Sequence, residues 1–164
     1  MANINREYLR SVVFGVEDSL VSTTGLIAGL SAGAASRKVV VLGAIVAMVV
    51  EAISMGAGEY LSDDAVQDLD KLKRPRERPS VSGLLMFTAY FLAGFVPLVP
   101  VLLLTYPGSV WVSVIFALCG LFVLGYLKGR VLKTSPFRGG LKILVVGGLA
   151  TLLGVVVGLV FRLV

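Results

Sequence analysis

Four acidic residues, Glu17, Asp18, Glu51 and Glu59, lie within long apolar runs of a 164-residue chain. Ionisable groups in hydrocarbon are costly, so their default reading is functional. Glu51, Met55 and Glu59 follow i, i+4, i+8, and on a helix their side chains stack along one stripe, which Met48 continues. Carboxylate oxygens alone suit hard cations. A thioether sulfur beside them shifts the preference toward softer first-row metals such as Fe²⁺ or Mn²⁺. Carboxylates can also trade a bound proton for a cation. Asp18, Glu51, Met55 and Glu59 are therefore candidate metal ligands, and Asp18 and Glu51 are candidate proton carriers. The metal here is cargo, and no prosthetic cofactor is expected. Plainer roles stand beside these. Met55 can fill space, Asp18 and Glu51 can join two helices as neutral hydrogen-bonding acids, and Glu59 can be solvated near the membrane surface. Glu17 sits about 100° around the helix from Asp18 and points elsewhere.

The elements that must carry these residues are membrane helices. The chain is 57% hydrophobic and 15% charged, with a mean hydropathy of +0.93, whereas a soluble domain has about a quarter of its residues charged. The apolar runs are continuous rather than alternating, so the fold class is all-α integral membrane and not a β-barrel. A span needs about 20 apolar residues, and five stretches qualify, near residues 10–35, 39–61, 81–105, 110–132 and 141–161. They form a single transmembrane domain, with a short link over 63–80 that is acidic first (Asp63, Asp64, Asp68, Asp70) and basic after (Lys71–Arg78). The basic half fits lipid headgroups, and the net charge of +5 is not a nucleic-acid footprint. With no His and one Cys, no Ser–His or Cys–His pair exists. An enzyme is therefore a poor third to a transporter or a membrane scaffold.

Five spans put the termini on opposite sides. An N-terminus in the cytoplasm places twelve Lys and Arg inside and three (Arg37, Lys38, Arg162) outside, so the expected orientation is N-terminus in, C-terminus out. At 1.5 Å per residue, Asp18 lies roughly 12 Å beyond Arg10 and Glu51 about 15 Å before Leu61, at similar depths. The first helix also carries Gly25, Gly29 and Gly33, a doubled GxxxG face for close helix packing. The short chain and the lack of a targeting segment point to a prokaryotic plasma membrane.

Phe14-Gly-Val-Glu-Asp18-Ser-Leu-Val-Ser-Thr-Thr-Gly25 resembles the first helix of the vacuolar iron transporter (VIT) family, and Glu51-Ala-Ile-Ser-Met55-Gly-Ala-Gly-Glu59-Tyr-Leu-Ser62 its second. Ala93-Gly-Phe-Val-Pro97-Leu-Val-Pro100 and Leu124-Gly-Tyr-Leu-Lys128-Gly-Arg130 agree in order along the chain. The resemblance implies a five-helix protomer, a homodimer, and Fe²⁺ or Mn²⁺ carried out of the cytosol against protons. It implies that Asp18 and Met55 line the ion path and that Glu59 is the glutamate of the family's Gly-Glu-Tyr motif. A path between two copies of the first helix would use its small-residue face. Two features depart from plant-type members. Their helix-two acid, two turns before the methionine, is Ala47 here, with Glu51 one turn before Met55. Their large metal-collecting insertion between helices two and three is reduced to 63–80. Transport of another cation, or a scaffold without transport, are the alternatives.

Overall fold

The computed structural model describes residues 6–69 and 78–164. Among them the chain forms five helices and no strand: α1 (Arg6–Ala32), α2 (Arg37–Leu69), α3 (Pro79–Leu103), α4 (Gly108–Val131) and α5 (Pro136–Leu163). All five are long and apolar enough to cross a membrane. Large apolar side chains cover the outside, among them Leu42, Val50, Leu92, Trp111, Leu153 and Phe161. A surface so apolar is suited to lipid, not water.

Local signals explain most of the boundaries. Pro79 and Pro136 open α3 and α5, where a missing N–H costs nothing. The α1 and α4 helices both end in Schellman motifs, with Ala35 N–H donating to Leu30 O and Thr134 N–H to Gly129 O. The left-handed residue is not glycine in either case but Ala34 (φ 64°) and Lys133 (φ 54°). The largest departure from the expected boundaries is at the end of the second helix. The second helix does not stop at Leu61 but runs on to Leu69, because the acidic residues there are compatible with helix once they leave the hydrocarbon. Asp63, Asp64 and Asp68 are therefore helical rather than part of a link. Asp70 and the basic residues Lys71, Lys73, Arg74 and Arg76, with Pro75, lie outside the described residues.

Contacts at the two ends fix the up-and-down order. At one end Arg10 pairs with Glu59, and the Arg78 N–H donates to the Tyr8 hydroxyl. At the other, the Tyr106 hydroxyl donates to Ala35 O at 2.6 Å, and the Arg37 guanidinium caps the end of α3 at Val101 O and Leu102 O. The α3 helix continues through Pro97 and Pro100, and Ser113 Oγ on α4 donates to the Pro97 carbonyl at 2.6 Å. A buried cluster of Ile27, Ala28, Val40, Ala44, Met48, Leu98, Val101 and Val110 fills the bundle toward the Tyr106 end. Met48, expected to extend the ligand stripe, is packing: it is 2% exposed in this cluster.

Glycines set the helix spacing. A methyl group on Gly29 would come 2.7 Å from the carbonyl oxygen of Gly154, and one on Gly154 would come 2.6 Å from that of Gly25. The Gly25/Gly29/Gly33 face of α1 is thus occupied by α5 of the same chain. This corrects the expectation that it would meet a second copy of α1: α5 carries its own small residues, Gly154 and Gly158, and fills the face first. A similar crossing joins α2 to α3, where a methyl on Gly83 would lie 2.6 Å from Gly56 O.

Overpacking of this kind destabilises by about 1–3 kcal/mol, occasionally more. Gly29→Leu or Gly154→Leu should lower the melting temperature of the detergent-solubilised protein, measured by intrinsic fluorescence. Gly148→Ala should not lower it, because nothing beyond its own helix turn lies within 4 Å of the added methyl and alanine favours helix over glycine.

Candidate functional site

The α3 helix packs along both α1 and α2 and supplies the hub of the site. Tyr90 is its centre, with 0% of its surface exposed. Its backbone carbonyl accepts a hydrogen bond from Ser19 Oγ at 2.6 Å. Its hydroxyl lies 2.6 Å from Ser22 Oγ on α1 and donates to Glu51 Oε2 on α2. A tyrosine hydroxyl has one proton, so with that proton on Glu51 it accepts from Ser22. Asp18 lies one turn before Ser22 on α1, so the Tyr90 hydroxyl joins the α1 face that carries Asp18 to Glu51 on α2.

The α2 stripe is continuous. Ala47, Glu51, Met55, Glu59, Asp63 and Gln67 recur every fourth residue and are all half-buried. Beside them Ala44, Met48, Ala52 and Gly56 are fully buried against the bundle. Met55 sits one turn from Glu51 and one from Glu59, so it spans the gap between the mid-bundle pair and the helix end.

Glu59 is held differently. Its Oε1 accepts from the buried Ser11 hydroxyl at 2.6 Å and from Arg10 Nη2 at 3.1 Å. The same guanidinium reaches Asp63 at 3.6 Å and Glu7 at 3.3 Å. The Glu59 side chain is 11% exposed, and Arg10 is 57% exposed. Three carboxylates thus share one arginine at the end of the bundle. This group borders a cavity of about 770 Å³ lined by Arg6, Arg10, Phe14, Glu17, Glu59 and Lys128, with Leu9, Val13 and Leu132. Glu17 faces this cavity rather than Glu51. Among the described residues no three His, Cys, Asp or Glu side chains are arranged to hold a metal ion. Glu51 has a thioether one turn away in Met55, and Glu59 is joined to Arg10.

Sequence reading missed Tyr90, Ser11 and the reach of Arg10 to Glu59 and Asp63. Tyr90 carried a signal: a hydroxyl in the interior of an otherwise apolar span, far from the interfaces where tyrosines usually sit.

Five apolar helices with acids confined to α1 and α2, joined by polar contacts from one end to mid-depth, define a polytopic helical membrane protein with a polar seam. The chain belongs to the VIT family, whose model matches it over residues 9–82 and 69–159. It is similar to vacuolar iron transporter 1 of Arabidopsis thaliana, 25% identical over 206 aligned positions that cover 88% of this chain and 82% of the relative. The protein of that name from Eucalyptus grandis is 26% identical over 88% of this chain and 83% of the relative. Vacuolar iron transporter homolog 1 of Arabidopsis thaliana is 29% identical over 156 positions, covering 88% and 78%. The first two alignments are longer than the 164 residues of this chain, so those relatives carry extra sequence. The split of the family match at 69–82 falls at the α2–α3 link.

A hydrogen bond to a charged group is worth about 1.5–3 kcal/mol, and a solvent-exposed ion pair about 0–1 kcal/mol. Ser11→Ala should therefore destabilise the protein more than Arg10→Gln, an order that thermal melts of the two variants will check.

Proposed function

We propose that this protein carries a divalent first-row metal, Fe²⁺ or Mn²⁺, across the membrane and out of the cytosol, in exchange for protons. The observation that supports the reading is the Tyr90 hydroxyl linking Glu51, one turn from Met55, to Ser22, one turn from Asp18, in a family whose relatives are named iron transporters. Two carboxylates balance the charge of one divalent cation, and the thioether favours a transition metal over Mg²⁺ or Ca²⁺. Protons arriving from the far side neutralise the pair and release the ion.

Two acids and one sulfur are few donors for an ion that takes four to six ligands. A homodimer that brings two copies of Asp18, Glu51 and Met55 to a common axis doubles the set, and such a dimer is part of this reading. The cavity beside Glu59 and Glu17 is the entrance on the cytoplasmic side, and Glu59 with Asp63 attracts cations toward it. The N-terminus is then inside and the C-terminus outside, because Arg6, Arg10, Lys128 and the acidic end of α2 share that end.

Fe²⁺ and Mn²⁺ flux into proteoliposomes, with and without a pH gradient, tests the proposal. Flux should rise with the gradient and fall by about tenfold or more in Asp18→Asn, the factor that corresponds to about 1.4 kcal/mol. Met55→Ala should weaken Fe²⁺ and Mn²⁺ more than Ca²⁺. Flux of another cation only would move the cargo elsewhere, and no flux from folded protein would favour the scaffold. Orientation is checked separately in a Cys119→Ser background. A cysteine introduced at Ser135 should react with an impermeant maleimide only after the cells are opened, and one introduced at Gly108 should react in intact cells.

A further inference from the structure

Tyr90 belongs to α3, which contributes no acid to the site, yet it touches both helices that do. Its backbone is fixed to α1 by Ser19, its hydroxyl to α1 by Ser22 and to α2 by Glu51. Only one carboxylate oxygen of Glu51 is engaged: among the described residues, Oε1 accepts no hydrogen bond. The ring is fully buried, so the hydroxyl has little freedom to move away.

We infer that Tyr90 is a positioning residue for the ion site: its hydroxyl, oriented by Ser22, holds Glu51 by Oε2 and leaves Oε1 turned to the cation. A glutamate has three side-chain torsions and orders at an entropic cost. A fixed donor on a third helix removes that cost from the binding step, so Tyr90 acts on metal affinity more than on the maximal rate. The inference rests on the transport reading above and deepens it.

The test is flux through proteoliposomes at varied Fe²⁺ or Mn²⁺ concentration for wild type, Tyr90→Phe, Ser22→Ala, Glu51→Gln and the double variant Tyr90→Phe/Glu51→Gln. Phenylalanine keeps the ring volume and removes only the hydroxyl. Tyr90→Phe should raise the KM about fivefold, the effect of one lost hydrogen bond, with the maximal rate nearly unchanged. Ser22→Ala, which leaves the Tyr90–Glu51 bond in place, should raise it less, and it stands in if Tyr90→Phe does not fold. In the Glu51→Gln background the Tyr90→Phe change should add nothing, because residues acting through one contact are not additive. An unchanged KM in both single variants, or additive effects in the double, overturns the assignment while the transport reading stands. Absence of flux in the wild type overturns both.

Discussion

In a bilayer, helices gain nothing by hiding apolar side chains from one another, since lipid is equally apolar. Association must come from close contact, and here it comes from backbones that touch. Gly29 and Gly154 on α1 and α5, and Gly56 and Gly83 on α2 and α3, admit no side chain between them. The same holds for Gly125 and Gly139 on α4 and α5. These crossings decide which helix is whose neighbour, and the polar chemistry is arranged inside the frame they set. With α5 against α1 and α3 against α2, α1 and α3 are left to face each other with Ser19, Ser22 and Tyr90 between them.

That frame explains why polar groups concentrate where they do. Small residues bring α1, α2 and α3 close enough for short hydrogen bonds, and Ser19, Ser22, Tyr90 and Glu51 use that proximity. The α4 and α5 helices, with no acids, act as a wall. The seam is therefore asymmetric: polar from the Arg10 end to Tyr90, then closed by the cluster of Ile27, Val40, Met48, Leu98 and Val101. The bundle is polar at one end and closed by aliphatic packing toward the other.

Hydropathy made five helices legible, because membrane spans announce themselves by length and composition alone. The acids and their stripe were legible for the same reason, as charges stand out against apolar runs. Partners were not. The repeat of Gly25, Gly29 and Gly33 shows that some backbone comes close but not whose, and α5 took the place expected of a second protomer. The end of α2 was misjudged because hydropathy reports where lipid ends, not where hydrogen bonding ends. Asp63 was assigned to a loop, yet it lies on the helix within reach of Arg10. Tyr90 could be named as unusual from its position, but its link to Glu51 depends on the rotation of α3, which its nearly uniform apolar sequence does not encode.

The eight residues of α2 beyond Leu61 extend about 12 Å further along its axis. Two relatives carry more sequence than this chain, and any segment joined where α2 ends would begin well away from the lipid-embedded crossings. None of the glycine contacts and none of the bonds to Tyr90 would register its arrival or loss. The projecting helix is in this sense a mounting post. A segment joined to it leaves the packing of the membrane core unchanged.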